Sequence, residues 1–179
     1  AGELRVTLKD EKLNIINHLR LEKYLESVVG SEMPKEFPLA ALQAQAIAAR
    51  TYALKLLDNN KTFDLHSTQA SQVYLGLESE TAKINRAVRS TSSLALFYKN
   101  QLIDAVFHSS SGGRTENSGQ VWKYQLPYLK SVIDYDQNST KYRWTNKFTS
   151  AELGKVFSDL GGVTSIQVIN KSNSGRVLK

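Results

Sequence analysis

Apolar and polar side chains alternate at the start of the chain. Leu4, Val6 and Leu8 interleave with Arg5, Thr7 and Lys9, the period-two pattern of a half-buried strand. Asp10-Glu11-Lys12 supplies a turn into a second strand at 13–17. The period then changes. Leu21, Tyr24, Leu25, Val28 and Val29 fall at helical spacing, predicting a helix over 21–29 that Gly30 stops. Pro34 and Pro38 disfavour helix at Met33 and Phe37, and Pro38 suits the first position of a new one. From there Leu39, Leu42, Ala46, Ala49, Ala53 and Leu56 form a stripe. A helix over 38–57, about 30 Å long, is expected to be central and mostly buried.

Further along, 58–61 reads as a polar loop, and 63–74 as loop ending in a brief strand near 72–75. A helix is expected over 81–93, with Ala82, Ile84, Ala87 and Val88 inward. Two strands at 94–99 and 102–107 meet in a hairpin at Asn100-Gln101. Residues 108–116 are a small-residue loop. Thr149 and Glu152 make a capping box for a helix running to 160, which Gly161-Gly162 ends. Residues 163–170 read as a strand, and 172–175 as a turn into a last strand at Arg176. The whole predicts an α+β fold: a central long helix packed with other helices against short antiparallel strands. Because the chain stops abruptly after that turn, it is expected to be cut before the domain closes.

Composition narrows the function classes. The chain has 179 residues, 41% hydrophobic and 22% charged, which places it among globular proteins of one domain with a real core. No run approaches the roughly 20 apolar residues of a membrane-spanning helix. No signal peptide is visible, because the first ten residues already read as a strand, and this leaves export open. There is no cysteine, so disulfides, iron–sulfur clusters and thiol catalysis are excluded together. The net charge of +6 is spread without a block of like charges. It fits attraction to a polyanion such as an anionic cell wall, and equally a merely soluble basic surface. No nucleic-acid partner is expected, since the basic residues do not cluster with aromatics.

Five kinds of chemistry can be weighed on the residues. His18, His66 and His108 lie far apart and form no metal-ligand spacing. A serine nucleophile is disfavoured: His108 borders three serines with Asp104 nearby, but there is no nucleophile elbow, and triads draw on separate segments. Glu32 is an isolated carboxylate between Gly30 and Pro34. Beside Val28, Val29, Met33 and Phe37 it is set up to start as an acid, whereas a solvated helix-end Glu is the commoner case. The backbone and hydroxyls of Ser109–Gly113 suit the polar groups of a ligand, or an ordinary tight turn. Trp122, Tyr124, Tyr128, Gln43, Gln45 and Gln72 suit stacking and hydrogen bonding on sugar rings, or a core.

Several stretches together carry a resemblance. They are Glu32-Met33-Pro34, the Ala/Gln-rich run through Arg50-Thr51-Tyr52-Ala53, and Gln72-Val73-Tyr74 with Gly76. Then come His108-Ser109-Ser110-Ser111-Gly112-Gly113 with Thr115-Glu116, Val121-Trp122 and Pro127-Tyr128-Leu129. In this order they resemble the stage II sporulation protein D / amidase-enhancer (SpoIID/LytB-like) domain, and residues 1–179 are identified with a single such domain. The resemblance implies a bacterial, extracytoplasmic protein acting on peptidoglycan glycan strands. Its implied activity is that of a lytic transglycosylase, which cleaves the MurNAc–GlcNAc bond and leaves a 1,6-anhydro end. It implies Glu32 as the catalytic group, first acid and then base. Arg50 and the Ser109–Thr115 loop are expected to hold the sugar, with Tyr52, Gln72, Tyr74, His108, Trp122 and Tyr128 as further substrate contacts. Within that loop the contacts are Ser109, Ser110, Ser111, Gly112, Gly113 and Thr115, and Glu116 is a possible second acid. A substrate groove is expected over the N-terminus of the long helix. Some members carry Cys and His before the Gln-Val-Tyr, fitting zinc. Here that segment reads His66-Ser67-Thr68-Gln69-Ala70-Ser71, so no metal or other cofactor is expected. The alternative implied role is a non-catalytic glycan-binding module that stimulates a cell-wall amidase.

Overall fold

The computed structural model describes residues 2–58 and 61–178. Two compact units result, Ala1–Phe107 and His108–Lys179, and the architecture is α+β, as the pattern predicts.

In the first unit, β1 (Glu3–Lys9) and β2 (Lys12–His18) form an antiparallel hairpin, with Val6 opposite Ile15 and Leu8 opposite Leu13. Asp10 and Glu11 both take positive φ, matching the turn to the twist of the strands. The expected half-burial does not occur. Leu4, Val6, Leu8, Leu13 and Ile15 are each more than half exposed, because no second layer lies on that face among the described residues.

Three helices carry the core. These are α1 (Leu21–Glu32), α2 (Leu39–Leu56) and α3 (Ala82–Ser90). Leu25, Val28 and Val29 of α1 meet Leu42, Ala46 and Ala49 of α2 and Ile84, Ala87 and Val88 of α3, all fully buried. Burying each of the larger side chains stabilises the fold by roughly 1.5–3 kcal/mol, and the alanines of α2 let the axes approach. Thr81 caps α3 by accepting a bond from the Ile84 N–H. Glu26 is buried between Lys23 (2.6 Å) and Arg89 (3.0 Å), tying α1 to α3. Burial pushes its carboxyl up, but the hydrogen bonds from Lys23 and Arg89 prevail and hold it below its ordinary range.

Several predicted boundaries change in the first unit, most of them for a tertiary reason. Gly30 does not stop α1; the helix runs through it to Glu32. A Cβ at Gly30 would lie 2.0 Å from the Ser79 carbonyl oxygen, so the glycine admits the 3-10 turn Gly76–Ser79 against the helix. The helix ends instead at Met33, which is extended (φ −130, ψ 142) because Pro34 follows. Gly30→Ala is therefore expected to destabilise the protein by about 2–3 kcal/mol, measured by thermal unfolding.

The strand expected at 72–75 is absent, since the Val73 and Leu75 N–H groups bond to side chains of α1 and the Tyr74 N–H to the Ser67 carbonyl (3.1 Å) rather than to a ladder. The 94–107 hairpin shrinks to β3 (Phe97–Tyr98) and β4 (Gln101–Leu102). Its turn is Lys99-Asn100, both at positive φ, and the Leu96 N–H goes to Thr51 Oγ1 (2.9 Å). The helix expected to reach 93 stops at Ser90. In the polar loop at 58–61, Asn59 and Asn60 lie outside the described residues.

The second unit is mostly irregular. It contains α4 (Ser118–Val121) and α5 (Ser150–Val156). The Thr149/Glu152 capping box is formed on both sides. A 3-10 turn, Ser158–Leu160, follows, and Gly161 takes the left-handed conformation after it. The strand expected at 163–170 does not form, and the expected last strand is reduced to one bridge between Lys171 and Val177.

Candidate functional site

Glu32 closes α1, and the face it shares grips a strap formed by 72–76. Tyr24, Ser27 and Ser31 recur at i, i+3 and i+7, one side of a helix. Ser27 Oγ accepts from the Gly76 N–H (2.8 Å), Ser31 Oγ from the Leu75 N–H (3.3 Å), and Glu32 Oε1 from the Val73 N–H (2.8 Å). Glu32 Oε2 has no hydrogen-bond partner among the described residues. The carboxyl is half-buried: one oxygen anchored, the other available. The connector leading from Glu32 to α2 is pinned by Lys83 Nζ, which donates to the carbonyls of Phe37 (2.5 Å) and Glu36 (3.3 Å).

Near this carboxylate lies Tyr24, whose phenol feels the Glu32 charge. Tyr24 and Tyr74 stack in parallel with centroids 5.7 Å apart and planes at 9°. The Tyr24 hydroxyl donates to Gln72 Oε1 (3.1 Å), and Gln72 Nε2 donates to the Ala49 carbonyl (3.4 Å). Burial pushes the Tyr24 phenol well above its ordinary value, and the negative charge of Glu32 followed by Tyr52 and Tyr74 adds to the shift. The hydroxyl therefore remains a donor. Thus the structure brings Glu32, Tyr52, Gln72 and Tyr74 into one neighbourhood and adds Tyr24, which periodicity had assigned to packing alone.

Arg50 is the clearest correction. It is 2% exposed. Its Nε and Nη2 form a fork on the Glu22 carboxylate at 2.8 Å each, and the remaining donors meet the carbonyls of Leu94 (3.1 Å), Val88 (3.2 Å) and Ala46 (3.4 Å). A guanidinium has five N–H groups, so none is left for a sugar. Gln72 is likewise fully buried with its amide satisfied inside the fold, and it shapes the site from behind.

In the second unit the 110–113 loop also spends its donors internally. Asp136 receives the Ser110 hydroxyl and the N–H groups of Ser111 (2.7 Å), Gly112 (2.9 Å) and Gly113 (2.8 Å). Ser111 Oγ donates to Asp134 (2.7 Å). Gly112 and Gly113 hold positive φ, which turns successive N–H groups onto one anion. These donors are therefore spent within the unit, as in the tight-turn reading of this stretch rather than the ligand-holding one. Thr115 Oγ1 accepts from the Val132 N–H (2.8 Å). Glu116 is a structural acceptor, its side chain 8% exposed, fixed by Ser172, Ser174 and the Asn117 N–H. Those hydroxyls outweigh its burial and hold it below its ordinary range. His108, Ser109 and Trp122 are exposed and Tyr128 is half-buried.

The Ser110 hydroxyl does most to draw Asp136 from 3.8 to about 2, with burial opposing and the loop N–H groups adding. A depressed folded value means the contribution is full above 3.8 and is lost as pH falls toward 2. Asp136→Asn should accordingly speed amide exchange at Ser111–Gly113 at neutral pH and abolish the acid-dependent loosening of this loop.

The family model described as "Stage II sporulation protein" matches residues 9–98, half of the chain and the half that holds Glu32 with its clasp. The chain belongs to this family. The SpoIID chain is 37% identical to Stage II sporulation protein D of Bacillus subtilis, over 89% of its own residues and 52% of that protein. The same identity and shares hold for Stage II sporulation protein D of Bacillus amyloliquefaciens. It is 36% identical to the Amidase enhancer of Bacillus subtilis, over 76% of the chain and 18% of that protein. The chain spans about half the length of the curated sporulation relatives it matches. The 108–128 motifs lie beyond the SpoIID match, in the second unit. Among the described residues no three His, Asp or Glu side chains converge as a metal cluster, and no helix is long and apolar enough to cross a membrane.

Proposed function

We propose that this SpoIID chain is a peptidoglycan lytic transglycosylase with Glu32 as its single proton-transfer group. The observation that carries this reading is the asymmetric carboxyl: Oε1 tied to the Val73 N–H, and Oε2 unbonded among the described residues. One such group suffices for this reaction. Glu32 gives its proton to the glycosidic oxygen between MurNAc and GlcNAc, and the C1–O bond breaks. The resulting carboxylate then takes the proton of the C6 hydroxyl as that oxygen closes on C1. No second carboxylate is needed to activate water, unlike the usual glycosidase pair. In the first unit Tyr52 and Tyr74 offer ring faces to sugars, and the glycan lies in a groove over the entrance to α2; in the second unit, taken by itself, Trp122 and Tyr128 offer ring faces and His108 and Ser109 polar contacts. The net charge of +6 favours an anionic wall, and the site of action is extracytoplasmic.

One observation favours a second reading. A relative is named Amidase enhancer, and a carboxylate that fastens a strap also serves a non-catalytic glycan-binding module that stimulates an amidase. Incubation with peptidoglycan stripped of stem peptides separates the two. Mass spectrometry should find 1,6-anhydro-MurNAc ends. Glycan binding and amidase stimulation without such ends would establish the second reading.

A further inference from the structure

We propose that Tyr24 is a positioning residue for Glu32, acting through the strap at 72–76. This rests on Glu32 being the proton-transfer group. The direction of Glu32 Oε1 is set by the Val73 N–H. Val73 stands between two residues that Tyr24 alone holds from the α1 side. Gln72 accepts the phenol hydrogen through Oε1, and Tyr74 stacks on the phenol ring. Ser31 and Ser27 take the next two free N–H groups, those of Leu75 and Gly76. Among the described residues no strand lies beside the strap; the Tyr74 N–H goes to the Ser67 carbonyl (3.1 Å) and the other contacts come from side chains, so Tyr24 is the α1 anchor on the side preceding Val73, next to the Gln72 bond to the Ala49 carbonyl. Both parts of its side chain are used: the ring for Tyr74, the hydroxyl for Gln72. Burial pushes the phenol well above its ordinary value, so the hydroxyl remains a donor to Gln72.

Tyr24→Phe removes the hydroxyl and keeps the ring; Tyr24→Leu removes both. Amide exchange at Val73 is expected to quicken about tenfold in Tyr24→Phe and further in Tyr24→Leu, with the core amides of α2 unchanged. On peptide-stripped glycan, kcat should fall about tenfold and about a hundredfold respectively at unchanged KM. Tyr24→Phe retains the packing, so it carries the test should Tyr24→Leu unfold. Unchanged Val73 exchange in Tyr24→Phe, or a fall in kcat that merely follows lower thermal stability, would overturn the proposal. A wild-type protein that cleaves no glycan, yet whose Val73 exchange responds to Tyr24→Phe, would keep the positioning role and reject the transglycosylase reading.

Discussion

Glu32→Gln is expected to lower glycan cleavage by about a thousandfold, within the range general acid–base groups supply, while leaving the fold intact. The substitution separates two jobs of one side chain. Glutamine keeps the size of the group and an oxygen that accepts the Val73 N–H, now bonded at 2.8 Å, so the strap remains fastened. It lacks the exchangeable acid proton, and its amide does not take one back from the C6 hydroxyl. Thermal unfolding should therefore match wild type while anhydro product disappears. Glu32→Ala discards both jobs, so it should also loosen the Val73 amide. Retained cleavage in Glu32→Gln would assign Glu32 to the strap alone.

The second large effect is on stability. Arg50→Ala should cost about 3 kcal/mol or more, because it strands a partly buried Glu22 carboxylate and empties the bonds to three carbonyls. That is a large share of a total stability of about 5–15 kcal/mol. Arg50→Lys should recover little, since an ammonium is not a planar fork. Urea unfolding measures this, with a lower midpoint at unchanged slope. An Arg50→Lys protein of wild-type stability but impaired cleavage would return Arg50 to the substrate site.

How legible this protein was in its sequence depends on the range of the forces involved. The helices were read well because their signals are local: the apolar stripe of α2 and the Thr149/Glu152 box. The Lys99-Asn100 turn was displaced by one residue, since either dipeptide admits positive φ. What failed was whatever depended on a distant partner. Gly30 looks like a helix stop until Ser79 lies against it. The 72–75 segment has the composition of a strand, but composition does not say whether N–H groups bond to a ladder or to Ser31 and Glu32, 41 or more residues earlier. Arg50 looked like a ligand because its partner, Glu22, is 28 residues away in sequence. Residues 163–170 have strand periodicity, but among the described residues no strand pairs with them, and only Asn170 takes a backbone bond, from the Leu178 N–H (2.9 Å). At the site, Glu32 stood out through the two prolines that follow it. Tyr24 was hidden because its spacing also fits a packing residue, and only the polar company of Ser27 and Ser31 on the same face marks it.

The central claim is that Glu32 drives an intramolecular ring closure without a water nucleophile. Cleavage of peptide-stripped glycan in water enriched with heavy oxygen tests it most directly. The account predicts 1,6-anhydro ends that carry no label from the solvent, and none of these ends with Glu32→Gln. Reducing MurNAc ends that carry the heavy label would show hydrolysis and contradict it.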